Sequence, residues 1–246
     1  MIKIPYTKPF LSCQAQIALL KSRGMIFANE AKALHLLENI SYHRLSAYWH
    51  PLLADKQNHI FKSGANFETI FNLYKFDREL RKLIISELEK IEVAIRSKMT
   101  YVMSLSYNAF WMEDTSLFSN MTMYQATLAK IEEELSRTDD DLIVSFKTTY
   151  TNPLPPSFML LEITSFGILL RLYNNFLPRR AKKDIAAIFG LSDSVFASWL
   201  HSIVNPNHTF RQKLKELFAK YPTIDVKAMG FPSNWQNEPL WELPSG

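Results

Sequence analysis

Cysteine and glycine are scarce in this chain of 246 residues, and each scarcity excludes a class of protein. Cys13 is the single cysteine, so it cannot form an internal disulfide or share a Cys/His metal site with a second cysteine. None of the 6 glycines follows Asn or Asp, the pairs that mark tight hairpins, and no sustained period-two alternation occurs. We therefore expect a predominantly helical protein of a reducing, cytoplasmic compartment.

Long hydrophobic runs are also missing. The most apolar segment, residues 158–172, contains Glu162, Gly167 and Arg171, and it is shorter than the ~20 apolar residues that span a bilayer. Pro5 and Pro9 interrupt the N-terminus before a signal-peptide run develops. We expect no membrane partner and no export by that route, and we expect residues 158–172 to lie in a core helix.

Helical periodicity runs along most of the chain. Apolar residues recur at spacings of three and four from Phe67 to Val102, which predicts one long helix, or two with a bend near residues 76–77. Start and stop signals predict further helices. These cover about residues 13–21, 30–41, 42–49, 121–136, 141–150, 157–176, 178–189, 192–203 and 209–220. The predicted fold class is all-α.

Proline marks one internal seam. Residues 152–156 read Asn-Pro-Leu-Pro-Pro, which predicts a rigid, extended connector. We interpret residues 151–156 as a seam within a single domain covering 1–246, between an N-terminal helical layer and a C-terminal helical part. The tail that carries Trp235 and Trp241 is too apolar to extend freely, so we expect it to pack on the body or on a second subunit.

Positive charge is in slight excess, with 28 Lys and Arg against 24 Asp and Glu, a formal net charge of +4. Such a surplus favours an anionic partner, and nucleic acid is the leading one. On the long helix, Arg78, Arg81 and Arg96 are candidate contacts to RNA. They are interleaved with glutamates, so a solvated face with intrahelical ion pairs is the competing interpretation.

Two further segments carry candidate contacts to RNA. Residues 42–50 place Arg44 among tyrosine, tryptophan and histidine, a composition suited to stacking bases and holding phosphate, although the aromatics also suit a core. After Pro178, the candidate RNA contacts lie at a helix start, where backbone N–H groups also favour anions. They are Arg179, Arg180, Lys182 and Lys183. A solvated face explains this second run equally well.

Histidine and arginine are concentrated where a helix ends, between residues 199 and 211. Histidine exchanges protons near neutral pH, so His208 with Arg211 is the candidate catalytic pair, three residues apart on neighbouring helix faces. Helix capping or ion pairing is the competing interpretation, and His201 suits a structural role as well. Within each acidic triplet, at 132–134 and 139–141, consecutive carboxylates on a helix point in different directions. We therefore predict no metal site and no cofactor.

Several separated segments share one resemblance. They are residues 8–12 with Gln16 and Arg23-Gly24, residues 41–51, residues 74–81 with 89–96, Pro155-Pro156 with 162–167, and residues 199–203. In order and approximate spacing these segments resemble the Abi family, the abortive-infection phage-resistance proteins of bacteria. The resemblance covers nearly the whole chain, and the combination of motifs is specific although each motif alone is weak.

The resemblance implies a fold related to the HEPN superfamily: a HEPN-like multi-helix bundle with an additional N-terminal helical layer and a Pro/Trp-rich C-terminal tail. It implies metal-independent RNA cleavage by a symmetric homodimer, under possible control by an antitoxin RNA or protein. In such sites histidine acts on the ribose 2′-hydroxyl and arginine stabilises the phosphoryl charge. The resemblance also suggests a buried carboxylate at Glu162 and a tight helix crossing at Gly167.

The chain departs from the family pattern at one junction. The family signature is an arginine, usually followed by Asn, and a histidine four to six residues after the arginine, but no arginine occurs between Arg180 and Arg211. By that comparison roughly a dozen residues are absent between Val204 and Asn205. Natural loss, an engineered deletion and an incomplete sequence all explain the gap.

The gap decides the functional expectation. We predict an RNA-targeting effector of phage defence whose ribonuclease activity is weak or absent in this chain. The alternative is a noncatalytic RNA-binding or protein-interaction module of a toxin–antitoxin-like system. A helical scaffold whose positive charge is incidental is the third interpretation.

Overall fold

The computed structural model describes residues 5, 7, 9–176 and 193–242. The predicted helix over residues 178–189 lies outside the described residues, and so do the candidate RNA contacts after Pro178. Those contacts are Arg179, Arg180, Lys182 and Lys183.

Helices dominate the described residues, which confirms the all-α fold class. They are α1 (Cys13–Ser22), α2 (Glu30–Ile40), α3 (Tyr42–Trp49), α4 (Phe67–Ser106), α5 (Met121–Arg137), α6 (Asp141–Thr149), α7 (Ser157–Ile163), α8 (Phe166–Asn175), α9 (Asp193–Val204) and α10 (Thr209–Lys220). The long periodic run forms one continuous helix, α4, and short 3-10 turns connect several of the others.

Side-chain caps begin the helices where the sequence predicts them. Ser12 accepts a hydrogen bond from the backbone N–H of Ala15, and Asn29 accepts one from that of Lys32. These bonds satisfy amide groups that the first turn of a helix leaves without intrahelical partners. The predicted starts of α1 and α2 are therefore confirmed.

A small hairpin accompanies the helices, although the sequence carries no Asn-Gly or Asp-Gly signal for it. β1 (Leu53–Asp55) and β2 (Ile60–Phe61) pair antiparallel. Asp55 accepts hydrogen bonds from the backbone of Gln57 and Asn58, and His59 adopts a left-handed φ of 56°. The turn is built by an aspartate side chain and a left-handed histidine rather than by glycine, so the usual hairpin signal is missing.

The single helix predicted over residues 157–176 is wrong, because the chain breaks between α7 and α8 at Thr164 and Ser165. Arg96, on α4, explains the break: its guanidinium donates to the carbonyl oxygens of Leu161 and Thr164. A charged donor can satisfy carbonyl groups that a helix end leaves open. The apolar pattern continues through this point, so local sequence carried no sign of the break.

Two compact units make up the chain. Unit 1 comprises residues 1–83 and 213–233, and unit 2 comprises residues 84–212 and 234–246. The core of unit 1 forms around α1 to α3, the hairpin and the start of α4, with Leu20, Leu45 and Phe67 fully enclosed. The core of unit 2 forms around α4 to α8, with Trp111 and Leu160 at its centre. The single-domain interpretation and the seam at 151–156 stay predictions.

Candidate functional site

The junction between α9 and α10 is organised by Asn205, which is only 2% exposed. Its Oδ1 accepts the backbone N–H groups of Phe210 (3.0 Å) and Arg211 (3.1 Å), and its backbone carbonyl accepts the N–H of His208 (3.1 Å). The two bonds to Oδ1 give acceptors to N–H groups in the first turn of α10, which have none within the helix. The residue after the gap implied by the family resemblance is therefore a buried structural cap.

The same hydrogen bonds determine the tautomer of His201. Because the Oδ1 of Asn205 is occupied by two backbone donors, its Nδ2 faces the imidazole and donates to Nε2 of His201 at 3.1 Å. The neutral ring then carries its proton on Nδ1, which is buried without a hydrogen-bond partner. Burial, followed by the charge of His208, lowers the pKa of His201. This histidine is held neutral, and its one basic nitrogen is already occupied.

Arg211 is engaged by the C-terminal tail. Its Nη1 lies 2.8 Å from Oε1 of Glu242, and its Nη2 donates to the carbonyl oxygen of Gln236. The arginine side chain is 16% exposed. The indole of Trp241 lies 6.2 Å from the ring of Phe210, between centroids, which confirms that the tail folds back on the body.

His208 is the exposed member of this cluster. It follows Asn207, and both residues adopt left-handed backbone conformations, with φ of 59° and 52°. Such conformations are unfavourable for residues other than glycine, so this short connection stores some strain. Of the three candidate residues at this junction, His201 and Arg211 are engaged by other residues of the chain, and the catalytic role of His208 with Arg211 stays a prediction.

The predicted RNA contacts of unit 1 differ in their surroundings. Arg44 and Arg78 are exposed, and within the described part of the chain neither forms an ion pair. Arg81 is half exposed and pairs with Asp77 at 2.8 Å, and the same carboxylate accepts a hydrogen bond from Tyr48. Burial of the phenol, followed by that hydrogen bond, raises the pKa of Tyr48 to about 12. Of these three predicted contacts, Arg44 and Arg78 are thus the ones most available to an anion.

Arg96 serves the fold instead. It is 6% exposed, and besides holding the carbonyls at the end of α7 it pairs with Glu92. A guanidinium whose donors are taken inside the protein offers little to a phosphate. We therefore leave Arg96 out of the proposed interface.

Three expectations for α7 and α8 are wrong. Glu162 is exposed rather than buried. A Cβ at Gly167 would meet only the hydroxyl of Ser165 at 3.8 Å, an ordinary contact, so no tight helix crossing requires glycine there. Leu170, in the segment that we expected to form a core helix, is also exposed, whereas Leu169 of the same segment lies in the core.

Charge separates the two units sharply. Unit 1 contains 16 Lys and Arg against 8 Asp and Glu, a net charge of +8, whereas unit 2 contains 12 against 16, a net charge of −4. The modest overall charge of +4 conceals this difference. A strongly basic unit attracts polyanions, and an acidic one repels them. The electrostatic candidate for nucleic-acid binding is unit 1.

Sequence reasoning missed the residues that occupy the histidine–arginine junction. From the sequence, Asn205 marks only one side of the apparent gap, and nothing indicates Glu242 as the partner of Arg211. An asparagine directly after a helix and shortly before another is a usable capping signal. The ion pair of Arg211 with Glu242 joins positions 31 residues apart and has no local signal.

The described residues contain no group of three or more His, Cys, Asp and Glu side chains arranged to hold a metal ion. No helix in the ranges given above is both long enough and apolar enough to cross a membrane.

An all-α chain with exposed arginines on a basic unit fits a protein that binds polyanions. The model of the Abi-like protein family matches residues 35–206, and the chain belongs to that family. Membership associates it with abortive infection, a form of phage defence. The matched range contains His201 and Asn205 and ends before His208 and Arg211. Neither the curated proteins nor the solved structures include a match to the chain.

Proposed function

We propose that this chain is an RNA-targeting effector of abortive infection that binds RNA through unit 1 and turns it over weakly or not at all. The observation that carries the proposal is the division of charge, +8 on unit 1 against −4 on unit 2. Phosphate contacts by lysine and arginine dominate the affinity of proteins for nucleic acids. The choice of RNA among polyanions rests on the resemblance to HEPN ribonucleases.

Arg44 and Arg78 are the residues that we assign to phosphate contacts. Both are exposed on unit 1 without a carboxylate partner in the described residues, so a phosphate meets no competing anion there. Arg81 has a partner in Asp77, which a phosphate must displace, so we rank it below them. The planar fork of each guanidinium can hold two phosphate oxygens at once.

Weak turnover follows from the geometry of the α9–α10 junction. Metal-independent cleavage needs a base beside the 2′-hydroxyl and a cation beside the phosphate. His201 accepts a hydrogen bond at its basic nitrogen, and the guanidinium of Arg211 binds Glu242. His208 alone presents a histidine side chain to solvent at this junction. One histidine without a free arginine supplies at most part of the chemistry.

Binding and turnover are measured on the same RNA. A fluorescently labelled, unstructured RNA is titrated with the protein at several salt concentrations, and the bound samples are then run on a denaturing gel. We expect salt-sensitive binding with the RNA left intact. Absence of binding at low salt contradicts the RNA assignment, and turnover that His208→Ala abolishes contradicts the proposed lack of activity.

A protein-interaction function is a second candidate, because unit 2 exposes an apolar patch formed by α4 and α7. Tyr101 and Leu105, on α4, are 64% and 73% exposed, and Phe158, on α7, is 50% exposed. All three side chains line the same surface pocket. Such a patch is unusual on a monomer, and we place the contact of the predicted homodimer on it.

The oligomeric state tests this second candidate. We expect the protein to sediment as a dimer in analytical ultracentrifugation and Leu105→Glu to convert it to a monomer, because a buried, unpaired carboxylate opposes association. Thr122→Glu, on the exposed start of α5, is the matched control. A monomeric protein, or a dimer that survives Leu105→Glu unchanged, contradicts this placement. Control by an antitoxin stays a prediction from the resemblance.

A further inference from the structure

A cavity of about 720 Å³ lies within unit 1, between the N-terminal segment, α1 and α3. Its volume is in the range of cavities that hold small ligands. Residues that line it include Phe10, Gln16, Arg23, Tyr42, Trp49 and His59. Neither Arg44 nor Arg78, which we assign to the phosphates of bound RNA, lines this cavity.

The apolar part of the cavity is aromatic. Tyr42 and Trp49 form an edge-to-face pair with ring centroids 4.8 Å apart. Phe10 is 92% exposed, more than any other large hydrophobic side chain in the described residues. An exposed aromatic ring beside a cavity offers its face to a ligand for stacking, and covering it removes apolar surface from water. A flat ring that stacks on Phe10 is the ligand shape that suits this arrangement.

The polar part of the cavity offers one cation and one unsatisfied acceptor. The guanidinium of Arg23 makes a long hydrogen bond of 3.4 Å to the hydroxyl of Tyr42, and in the described part of the chain it forms no ion pair. Gln16 donates through Nε2 to the carbonyl of Leu11 at 2.9 Å, but its Oε1 is buried without a partner. A buried acceptor without a donor is unfavourable, and a ligand N–H relieves it.

We propose that this cavity binds a single nucleotide. The base stacks on Phe10 beside Tyr42, an N–H of the base meets Oε1 of Gln16, and the phosphate pairs with Arg23. An aromatic ring that carries both an N–H donor and an anionic group is what these three features require together. The further claim that this nucleotide is an unpaired residue of bound RNA rests on the proposed function.

Calorimetric titration of the full chain with AMP, adenosine and ribose 5-phosphate separates the contributions of the base and of the phosphate to the binding affinity. We expect AMP to bind more tightly than adenosine by about tenfold, because a charge-assisted hydrogen bond to Arg23 is lost with the phosphate. In Arg23→Gln the two ligands are expected to bind alike. Lys227→Gln, which removes an exposed cation of the same unit that does not line the cavity, is the matched control and leaves both affinities unchanged.

Phe10→Ala tests the base contact without risk to the core, since this side chain is almost fully exposed. We expect AMP and adenosine to bind about fivefold or more weakly, because stacking is lost, while ribose 5-phosphate is unaffected. Circular dichroism confirms that each variant is folded. Failure of AMP to bind, or unchanged AMP affinity in both Arg23→Gln and Phe10→Ala, overturns the proposal.

The outcomes also distinguish this proposal from the proposed function. Binding of RNA without binding of AMP overturns the nucleotide cavity and leaves RNA binding by unit 1 in place. Binding of AMP without binding of RNA contradicts the proposed function and supports a cavity for a free nucleotide. If both ligands bind, AMP is expected to compete with RNA only in a chain with Phe10 and Arg23 intact.

Discussion

Arginine has different roles in the two units of this protein. In unit 1, Arg44 and Arg78 extend into solvent from a part of the chain with a net charge of +8. In unit 2, with a net charge of −4, Arg96 holds the end of α7, and Arg211 holds the C-terminal tail. Exposed cations among few acids suit a polyanion, whereas buried or paired ones stabilise the fold. The comparison supports the proposal that RNA binds to unit 1.

In unit 2, two residues of the types used in catalysis have side chains that are not available to a substrate. His201 and Arg211 belong to the residue types that RNA cleavage uses, yet both are bound within unit 2. Residue type alone therefore overstates the chemistry at the α9–α10 junction.

The largest effect is expected from Arg96→Met in unit 2. This change leaves the carbonyls of Leu161 and Thr164 without their donor, and we expect the free energy of unfolding to fall by about 2–4 kcal/mol. Urea unfolding followed by circular dichroism measures the change. Arg171→Met, at an exposed position of α8, is the matched control. An unchanged urea midpoint in Arg96→Met contradicts the structural role.

Asn205→Ala comes next, with an expected loss of about 2–3 kcal/mol because several hydrogen bonds at the start of α10 disappear together. The control is Asn207→Gly, two residues away. Asn207 is exposed and left-handed, so glycine should leave stability unchanged or raise it by about 0.5 kcal/mol. Equal effects of the two substitutions on thermal unfolding would show that Asn205 is not the cap.

His201 gives the junction a dependence on pH. Because its pKa is lowered in the folded protein, mainly by burial, the unfolded chain takes up the proton first as pH falls. The contribution of His201 to the free energy of unfolding is therefore complete above about pH 6.5, the ordinary pKa of histidine, and it is lost as pH falls below that value. His201→Gln should flatten this part of the stability profile. A profile that is identical in both proteins rules out the contribution of His201.

The smallest effect is expected in unit 1, where Glu79 binds Lys220 and Tyr221 at 2.8 Å. The hydrogen bond from Lys220, then that from Tyr221, lowers the pKa of Glu79. A carboxylate with a lowered pKa stabilises the fold above its ordinary value, and the contribution disappears as pH falls through the lowered one. Glu79→Gln should therefore lower the urea midpoint slightly at about pH 7. Near about pH 3 the substitution should have no effect, and a constant difference between these pH values would contradict the charge-based explanation.

Local chemistry explains how much of the fold was predictable. Ser12 and Asn29 cap helices through bonds to residues three positions ahead, so the sequence alone contains both partners. The break after α7 depends on Arg96, which lies 65 positions from Leu161, and no local pattern predicts that contact. The helical register did offer a hint, because Arg96 shares a buried face of α4 with Met99 and Met103.

The residue types of the candidate site could be predicted from the sequence, but their hydrogen bonds and ion pairs could not. Proximity of His201, His208 and Arg211 follows from their spacing around a helix end. Their availability depends on Glu242 and on the buried amide of Asn205, which only the folded chain reveals. The charge difference between the units was likewise hidden, because unit 1 combines residues 1–83 with residues 213–233.

The most direct test of the account compares RNA affinity between two doubly substituted proteins. Arg44→Gln with Arg78→Gln removes two charges from unit 1, and Lys130→Gln with Arg171→Gln removes two from unit 2. Fluorescence anisotropy should show about tenfold weaker binding for the unit 1 variant, with its log–log salt slope reduced by about 1.4. The unit 2 variant should bind RNA like the unsubstituted protein. Equal loss in both variants, or a larger loss in the unit 2 variant, would contradict the assignment of RNA binding to unit 1.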